Sequence, residues 1–134
     1  MKLTFKGGIH PYEGKELTMD KDVIEYVPKG DMVYPLSQHI GAPAKAVVKK
    51  GDRVLVGQLI AEAGGFVSAN IHSSVSGTVK AVEPRLTASG SKVNSIVIEN
   101  DNQFEEIEYV KNDKPLAELN REEILEAIKN AGVV

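Results

Sequence analysis

Short runs of alternating apolar and polar residues, separated by turn-forming residues, make up most of the chain. Alternation with a period of two places apolar side chains on one face of an extended strand. Strands are therefore predicted over residues 22–27, 32–36, 45–48, 53–55, 58–63, 75–83 and 94–99. Glycine, proline and serine predict the breaks between them, at 28–31, Gly51, Gly57, Gly64-Gly65, Pro84 and Ser89-Gly90-Ser91. Many short strands at this spacing favour an all-β sandwich or barrel.

The pattern changes near the C-terminus, where apolar residues recur at helical spacing. Asn120 is followed three residues later by Glu123, a variant of the capping box that begins many helices. The apolar residues that follow one face of this helix are Leu119, Ile124, Leu125 and Ile128. Gly132 is a predicted C-terminal cap. One helix is predicted over residues 121–130, and the partner of its apolar stripe is not evident from the sequence.

The first twenty residues are predicted to form an extended arm that precedes the sandwich. Leu3-Thr4-Phe5 is the segment of this arm that fits an edge strand, and residues 7–11 fit a loop. Residues 37–43, between two predicted strands, are also expected to form a loop. The predicted fold class is therefore mainly β, with an N-terminal extended arm and one C-terminal helix.

The composition of the chain argues against several classes of partner and binding site. The chain has 134 residues, 42% apolar and 26% charged, which fits one soluble globular domain. Its net charge of −3 argues against a nucleic-acid partner. It has no cysteine, which excludes disulfides, iron–sulfur ligation and thiolate zinc sites supplied by this chain. No apolar run approaches the roughly 20 residues of a membrane span, so no direct membrane insertion is expected.

Few side chains suggest chemistry. The three histidines, His10, His39 and His72, lie in loop-like contexts without the i, i+4 spacing of a metal site. Gly7-Gly8 and Gly64-Gly65 lack a phosphate-loop pattern and are interpreted as tight turns. Ser73, Ser74 and Ser76 lack a nucleophile-elbow pattern and are expected on the polar face of a strand. No catalytic, cofactor-binding or metal-binding residue is assigned.

The segment from Val47 to Val82 resembles the barrel-sandwich hybrid of biotinyl and lipoyl carriers. The similarity rests on Lys50-Gly51-Asp52, Gly57-Gln58 and Val75-Ser76-Gly77-Thr78-Val79. Such carriers have a lysine at a hairpin tip between the two halves. No lysine occurs here between Lys50 and Lys80, and the tip region is Gly64-Gly65-Phe66-Val67-Ser68. The resemblance therefore implies the fold without the carrier chemistry.

An ordered set of segments resembles the N-terminal region of the C subunit of the Rnf electron transport complex. The match extends from about residue 3 to residue 99, with a more distant likeness to the A subunit of sodium-translocating NADH:quinone reductase. The segments are FKGGIHP (5–11), PLSQHIGAP (35–43), VKKGDRV (48–54), GQLI (57–60), GGFVSA (64–69) and HSSVSGTV (72–79).

This resemblance implies a membrane-bound, ion-translocating oxidoreductase between ferredoxin and NAD, with a peripheral C subunit on the cytoplasmic face of the membrane. It implies FMN, NADH and two [4Fe-4S] clusters in the parent protein and no cofactor in this chain. The implied organisation is a barrel-sandwich hybrid with its arm over residues 1–110. Residues 111–134 are then a linker and helix that lead into a flavin- and NADH-binding domain outside this sequence.

The function expected from this resemblance is a non-catalytic scaffold and docking module. Its expected partners are the downstream domains of the same subunit and the other subunits of the membrane complex. The candidate docking residues are His39, Phe66 and His72, within loops 37–43 and 64–72. Replacing Phe66 or His39 by alanine is expected to weaken docking and to leave the domain's own fold intact. For Phe66 an alternative stays open, in which its ring caps the domain's own small core.

Three other functions fit a small β-sandwich. A sugar-transport phosphocarrier needs a phosphoryl-accepting histidine on apolar strands, and His39 and His72 lie in glycine- and serine-rich contexts instead. A degenerate biotinyl or lipoyl carrier lacks its tip lysine. An efflux-pump adaptor needs a long helical hairpin between the two halves, where only about a dozen residues are available.

Overall fold

A computed structural model describes Gly7, residues 11–109 and residues 114–133 of the chain. The strands are β1 (Asp31–Pro35), β2 (Lys45–Ala46), β3 (Arg53–Val54), β4 (Leu59–Glu62), β5 (Ile71–His72), β6 (Gly77–Leu86) and β7 (Lys92–Asn100). A short 3₁₀ helix (Leu116–Glu118) and one α-helix, α1 (Arg121–Asn130), follow them. The fold is mainly β with one C-terminal helix, as predicted.

The strands form two antiparallel sheets. The larger sheet has the order β1-β7-β6-β3, and the smaller has the order β2-β4-β5. Register shifts between Val79 and Ala81 in β6 and between Leu59 and Ala61 in β4 mark bulges. Because a bulge increases the local twist of its strand, the four-stranded sheet is curled rather than flat.

The core lies between the two sheets and is built from small aliphatic side chains. Its most completely buried members come from four strands and one loop: Val54, Ile60, Val75, Val79, Ile96 and Ile98. β-Branched side chains pack well on pleated surfaces, so a chain without tryptophan can still close a core of this size.

Strand β6 is longer than predicted, because Pro84 does not end it. β6 and β7 stay paired through Pro84↔Asn94 to Leu86↔Lys92, and the turn comes at residues 87–91. A proline has no N–H to donate, and it is tolerated in a strand whose other edge is open. β3 pairs with β6 only at Thr78 and Gly77, which leaves that edge open beside Pro84. Strand 45–48 is shorter than predicted and ends at Ala46.

The predicted strand over residues 22–27 is wrong, because the segment has no strand and no buried residue. Strand propensity alone does not form a strand, since the backbone N–H and C=O groups need a neighbouring edge. The predicted edge strand Leu3-Thr4-Phe5 lies outside the described residues, as does His10. Residues 11–21 contain consecutive turns, in which the Lys15 carbonyl accepts from the N–H groups of Thr18 and Met19 and the Thr18 carbonyl accepts from the Lys21 N–H.

Serines 73 and 76 are not on a polar strand face as predicted but are buried and hydrogen-bonded. The Ser76 hydroxyl donates to Asp101 Oδ1 at 2.6 Å and accepts from the Glu105 N–H at 3.1 Å. Arg53 donates to both Asp101 and Glu105, at 2.9 and 2.8 Å. This network fixes the segment after β7, where Glu106 then pairs with Val56 in an isolated parallel bridge.

Helix α1 has the predicted bounds and both predicted caps. The Asn120 side chain accepts from the Glu123 N–H, and the Glu123 carboxylate accepts from the Asn120 N–H, each at 2.9 Å. At the other end the Gly132 and Val133 N–H groups bond the Lys129 and Ile128 carbonyls, which is a Schellman motif. Both ends of α1 are therefore capped. No residue of α1 is buried, so the helix makes little packing contact with the sheets.

Candidate docking site

The hairpin that joins β4 to β5, residues 63–70, is the tip of the smaller sheet and lies against loop 37–43. The Ala42 N–H donates to the Val67 carbonyl at 2.9 Å, and the Ser68 hydroxyl donates to the Ala42 carbonyl at 2.8 Å. The Asn70 side chain accepts from the Ala63 N–H at 2.9 Å, which closes the base of the tip. The two predicted loops therefore form one hydrogen-bonded unit.

Glycine is required where these loops cross. A Cβ on Gly64 would lie 1.9 Å from the Pro43 carbonyl oxygen, and one on Gly41 would lie 2.2 Å from the Val67 carbonyl oxygen. Gly41 also has φ +113°, a backbone conformation that side chains rarely adopt. Gly64, interpreted from the sequence as part of a tight turn, and Gly41 thus allow two backbones to touch.

His39 links loop 37–43 to the tip through hydrogen bonds at both ring nitrogens. Its Nε2 accepts from the Ala69 N–H, and its Nδ1 lies 3.0 Å from the Ile40 carbonyl oxygen. Because the backbone N–H can only donate and the carbonyl can only accept, the ring must be the neutral tautomer with its proton on Nδ1. Both ring nitrogens are engaged within the chain, so the structure gives His39 a positioning role in the tip. Its role in docking stays a prediction.

Phe66 does not cap the domain's own core. Its side chain is 104% exposed at the end of the tip, and its neighbour Val67 is 46% exposed. The tip contains no Asp, Glu, Lys or Arg from residue 63 to residue 70. An exposed aromatic ring in a stretch without charges is typical of the centre of a protein–protein interface.

The apolar side of α1 lies beside this tip. A groove of about 510 Å³ separates them, lined on the helix side by Leu125, Ile128 and Val133. These three side chains are 51%, 44% and 58% exposed, respectively. We call Phe66, Val67, Leu125, Ile128 and Val133 the tip–helix face. The sequence shows the helix stripe and the tip separately, but only the fold brings them together.

His72 lies on β5, next to the end of α1, so its predicted place in a loop is wrong. A Cβ on Gly132 would lie 2.5 Å from the Asn70 carbonyl oxygen and 3.4 Å from His72 Nδ1, so the helix end approaches β5 closely. His72 lines a second groove with Gly57, Ile107, Tyr109, Asn130 and Ala131. Phe66 and His72 therefore flank the two sides of the helix terminus, whereas His39 supports the tip from the opposite loop.

The described residues contain no group of three His, Cys, Asp or Glu side chains arranged to hold a metal ion. Within the same part of the chain, no helix is both long and apolar enough to cross a membrane. What the geometry offers is a rigid, charge-free apolar tip adjoining an amphipathic helix. This arrangement suits contact with another protein surface.

Comparison with known proteins agrees with this architecture. The family described as the RnfC barrel sandwich hybrid domain matches residues 3–103. The C subunit of the Na(+)-translocating ferredoxin:NAD(+) oxidoreductase complex of Acetobacterium woodii is 46% identical over 98% of this chain and 30% of its own length. The C subunit of the proton-translocating ferredoxin:NAD(+) oxidoreductase complex of Clostridium ljungdahlii is 43% identical over the whole chain and 29% of its own length.

A third relative is more distant in sequence. The C subunit of the ion-translocating oxidoreductase complex of Vibrio cholerae is 37% identical over 96% of this chain and 17% of its own length. The chain thus spans less than a third of the length of these curated relatives. With the family match covering most of its length and two sheets enclosing an aliphatic core, the chain belongs to the RnfC barrel sandwich hybrid domain family.

Proposed function

We propose that this chain is the docking and scaffold module of the C subunit in an ion-translocating ferredoxin:NAD(+) oxidoreductase complex. The relatives that carry the same domain are named as C subunits of such complexes. In this proposal the module is peripheral, on the cytoplasmic face of a membrane-bound complex. Its partners are the downstream domains of its own subunit and the neighbouring subunits.

The observation that carries the proposal is the tip–helix face. Phe66 is fully exposed, although the loops beneath it are fixed by the His39, Ser68 and Asn70 hydrogen bonds. A rigid aromatic side chain loses little conformational entropy when it is buried by a partner, which makes it an effective anchor. The half-exposed helix side chains enlarge the apolar area around this anchor.

The iron–sulfur clusters that the resemblance implies do not fit this chain. A [4Fe-4S] cluster is held by cysteine thiolates, and the sequence contains no cysteine. We therefore propose that the two clusters are bound by other parts of the same protein, and we expect FMN and NADH there as well. The contribution of this module is positional, because transfer reactions depend steeply on how reacting groups are held relative to one another.

Neither carrier alternative is favoured by an observation. The tip position where a carrier has its modified lysine is occupied by Gly64-Gly65-Phe66-Val67-Ser68. A phosphoryl acceptor needs a free imidazole nitrogen, and both nitrogens of His39 are hydrogen-bonded within the chain.

The test is to replace Phe66 by aspartate in the full-length C subunit that carries this domain, and to measure how much of it stays with the purified complex. Loss of a central aromatic anchor costs about 2 kcal/mol or more, so affinity for the complex should fall by about thirtyfold. The matched control is Leu86→Asp, because Leu86 is also an exposed apolar residue (71%) but lies at the far end of the β6–β7 hairpin.

Both side chains are exposed, so the melting temperature of the 134-residue chain should be the same for both variants and the wild type. If Phe66→Asp and Leu86→Asp are retained equally well, the tip is not a docking site and the proposal fails at this face.

A further inference from the structure

The N-terminal arm, residues 11–30, exposes an unusual amount of apolar surface. Its apolar side chains are between 52% and 101% exposed: Tyr12, Leu17, Met19, Val23, Ile24, Tyr26 and Val27. The four in the second half fall within residues 23–27, so exposed apolar side chains are concentrated in the segment 22–27. Such a concentration of exposed apolar side chains marks an interaction site.

The backbone of segment 22–27 also lacks partners among the residues that the structure describes. Within the described part of the chain its N–H and C=O groups make no backbone hydrogen bond, although its sequence favours a strand. The adjoining strand β1 is the outer strand of its sheet, so an open edge exists nearby. The Pro28 carbonyl, however, accepts from the Asn100 side chain at 3.0 Å, and Asn100 belongs to β7, on the opposite side of β1 from that edge. The arm is thus tied to the sheet at Pro28, while segment 22–27 does not pair with the open edge of β1.

Two observations indicate what covers the segment. The family match runs through the arm, from residue 3 to residue 103, so the arm belongs to the domain although none of residues 11–30 is buried. The arm has five carboxylates against three lysines, a net charge of −2 that disfavours an anionic lipid surface. A protein surface is therefore favoured over a membrane.

We propose that residues 22–27 add as an edge strand to an open β-sheet edge on another subunit of the complex. Strand addition supplies the missing partners for the backbone, and apolar pockets on both faces accept Val23 and Val27 on one side and Ile24 and Tyr26 on the other. A basic rim on that edge complements Asp22 and Glu25. The inference rests on the proposed function, because it takes the other subunits of the complex as the partner.

The experiment compares amide hydrogen exchange in the assembled complex and in the isolated 134-residue chain. Amides of residues 23–27 should exchange rapidly in the isolated chain and about tenfold or more slowly in the complex. Ile24→Pro removes one N–H from the strand and distorts its backbone. It should abolish this protection and leave the melting temperature of the isolated chain unchanged, because no side chain of the segment is buried.

Other outcomes overturn the inference. They are equally rapid exchange in the complex, the same protection in the isolated full-length C subunit, the same protection from vesicles of anionic or zwitterionic phospholipid, or the same protection from concentrating the isolated chain. Failure of strand addition can be distinguished from failure of the docking function. If Phe66→Asp releases the C subunit from the complex while segment 22–27 stays unprotected in the wild-type complex, the docking module stands and strand addition is wrong.

Discussion

Single residues at the tip act through their backbone contacts more than through side-chain chemistry. Gly41 and Gly64 let two loops cross at van der Waals distance, and His39 bonds a backbone group in each loop. The result is a firm base under Phe66. A histidine in a glycine- and serine-rich loop is often a candidate catalytic residue. Here both of its ring nitrogens form hydrogen bonds with backbone groups.

At this scale we predict that His39→Ala lowers the free energy of unfolding of the isolated chain by about 1–3 kcal/mol, because it leaves the buried Ala69 N–H without an acceptor. This revises the expectation from sequence that the change leaves the fold intact. Urea unfolding followed by circular dichroism measures the effect.

Gln38→Ala is the matched control for His39→Ala. The Gln38 amide donates to the Pro35 carbonyl at 3.0 Å in an exposed position, so its loss should change stability by less than about 0.5 kcal/mol. If the two variants are equally stable, His39 does not hold the tip.

Among the elements, α1 is stabilised by interactions within the helix and only weakly by packing against the rest of the domain. Its capping box, Schellman motif and Glu122 and Glu123 in the first turn all favour the helix. Yet none of its residues is buried, and the end of the helix approaches the sheets at Gly132. Such a helix keeps its apolar side chains available to a partner.

We therefore predict that Asn120→Ala destabilises α1 by about 1 kcal/mol while the melting temperature of the whole chain barely changes. Amide exchange of residues 124–130 should become faster, since those amides depend on the helix alone. Asn130→Ala is the control, because it makes the same change at the other end of the helix. Equal exchange in the two variants, or a large drop in the melting temperature for Asn120→Ala, would contradict the prediction.

On the scale of the whole molecule, ion pairs and hydrogen bonds, as well as the aliphatic core, join the larger sheet to the segment that follows β7. The Ser76 hydroxyl, the Gln103 N–H and the Arg53 guanidinium together lower the pKa of the Asp101 carboxyl. This carboxylate joins β3, the start of β6 and the segment after β7. One side chain thus couples three parts of the barrel.

A pH dependence follows from the direction of this shift. Because the pKa of Asp101 is lower in the folded chain than in the unfolded chain, its contribution is fully present above the unfolded pKa, about 3.9. It is lost as the pH falls through the folded pKa. We expect the wild type to lose more stability between about pH 5 and pH 2 than Asp101→Asn, in urea unfolding at each pH.

Asp20→Asn, in the exposed arm, is the control for this pH effect, and it should follow the wild-type pH profile. If Asp101→Asn loses as much stability on acidification as the wild type, the network does not contribute through this carboxylate.

The sequence by itself determined the local features of this protein, because their causes lie within a few residues. The strand alternation, the turns at Gly51 and Gly90, the bounds of α1 and its caps all follow from local propensity and short-range hydrogen bonds. The family resemblance, which rests on ordered segments, was confirmed as well. Local reasoning failed where a distant partner decides, as in the unpaired segment 22–27, the continuation of β6 through Pro84 and the burial of Ser76.

Only the tertiary structure decided how these pieces meet. It placed Phe66 next to the apolar side of α1, although the two are far apart in the chain, and it assigned both nitrogens of His39 to backbone groups. It also showed that the Pro28 carbonyl, at the end of the arm, is bonded to Asn100 of β7. The apolar side chains of the arm stay exposed. The physical reason is that exposure, pairing and tautomer depend on groups distant in sequence, whose positions are fixed only when the two sheets close around the core.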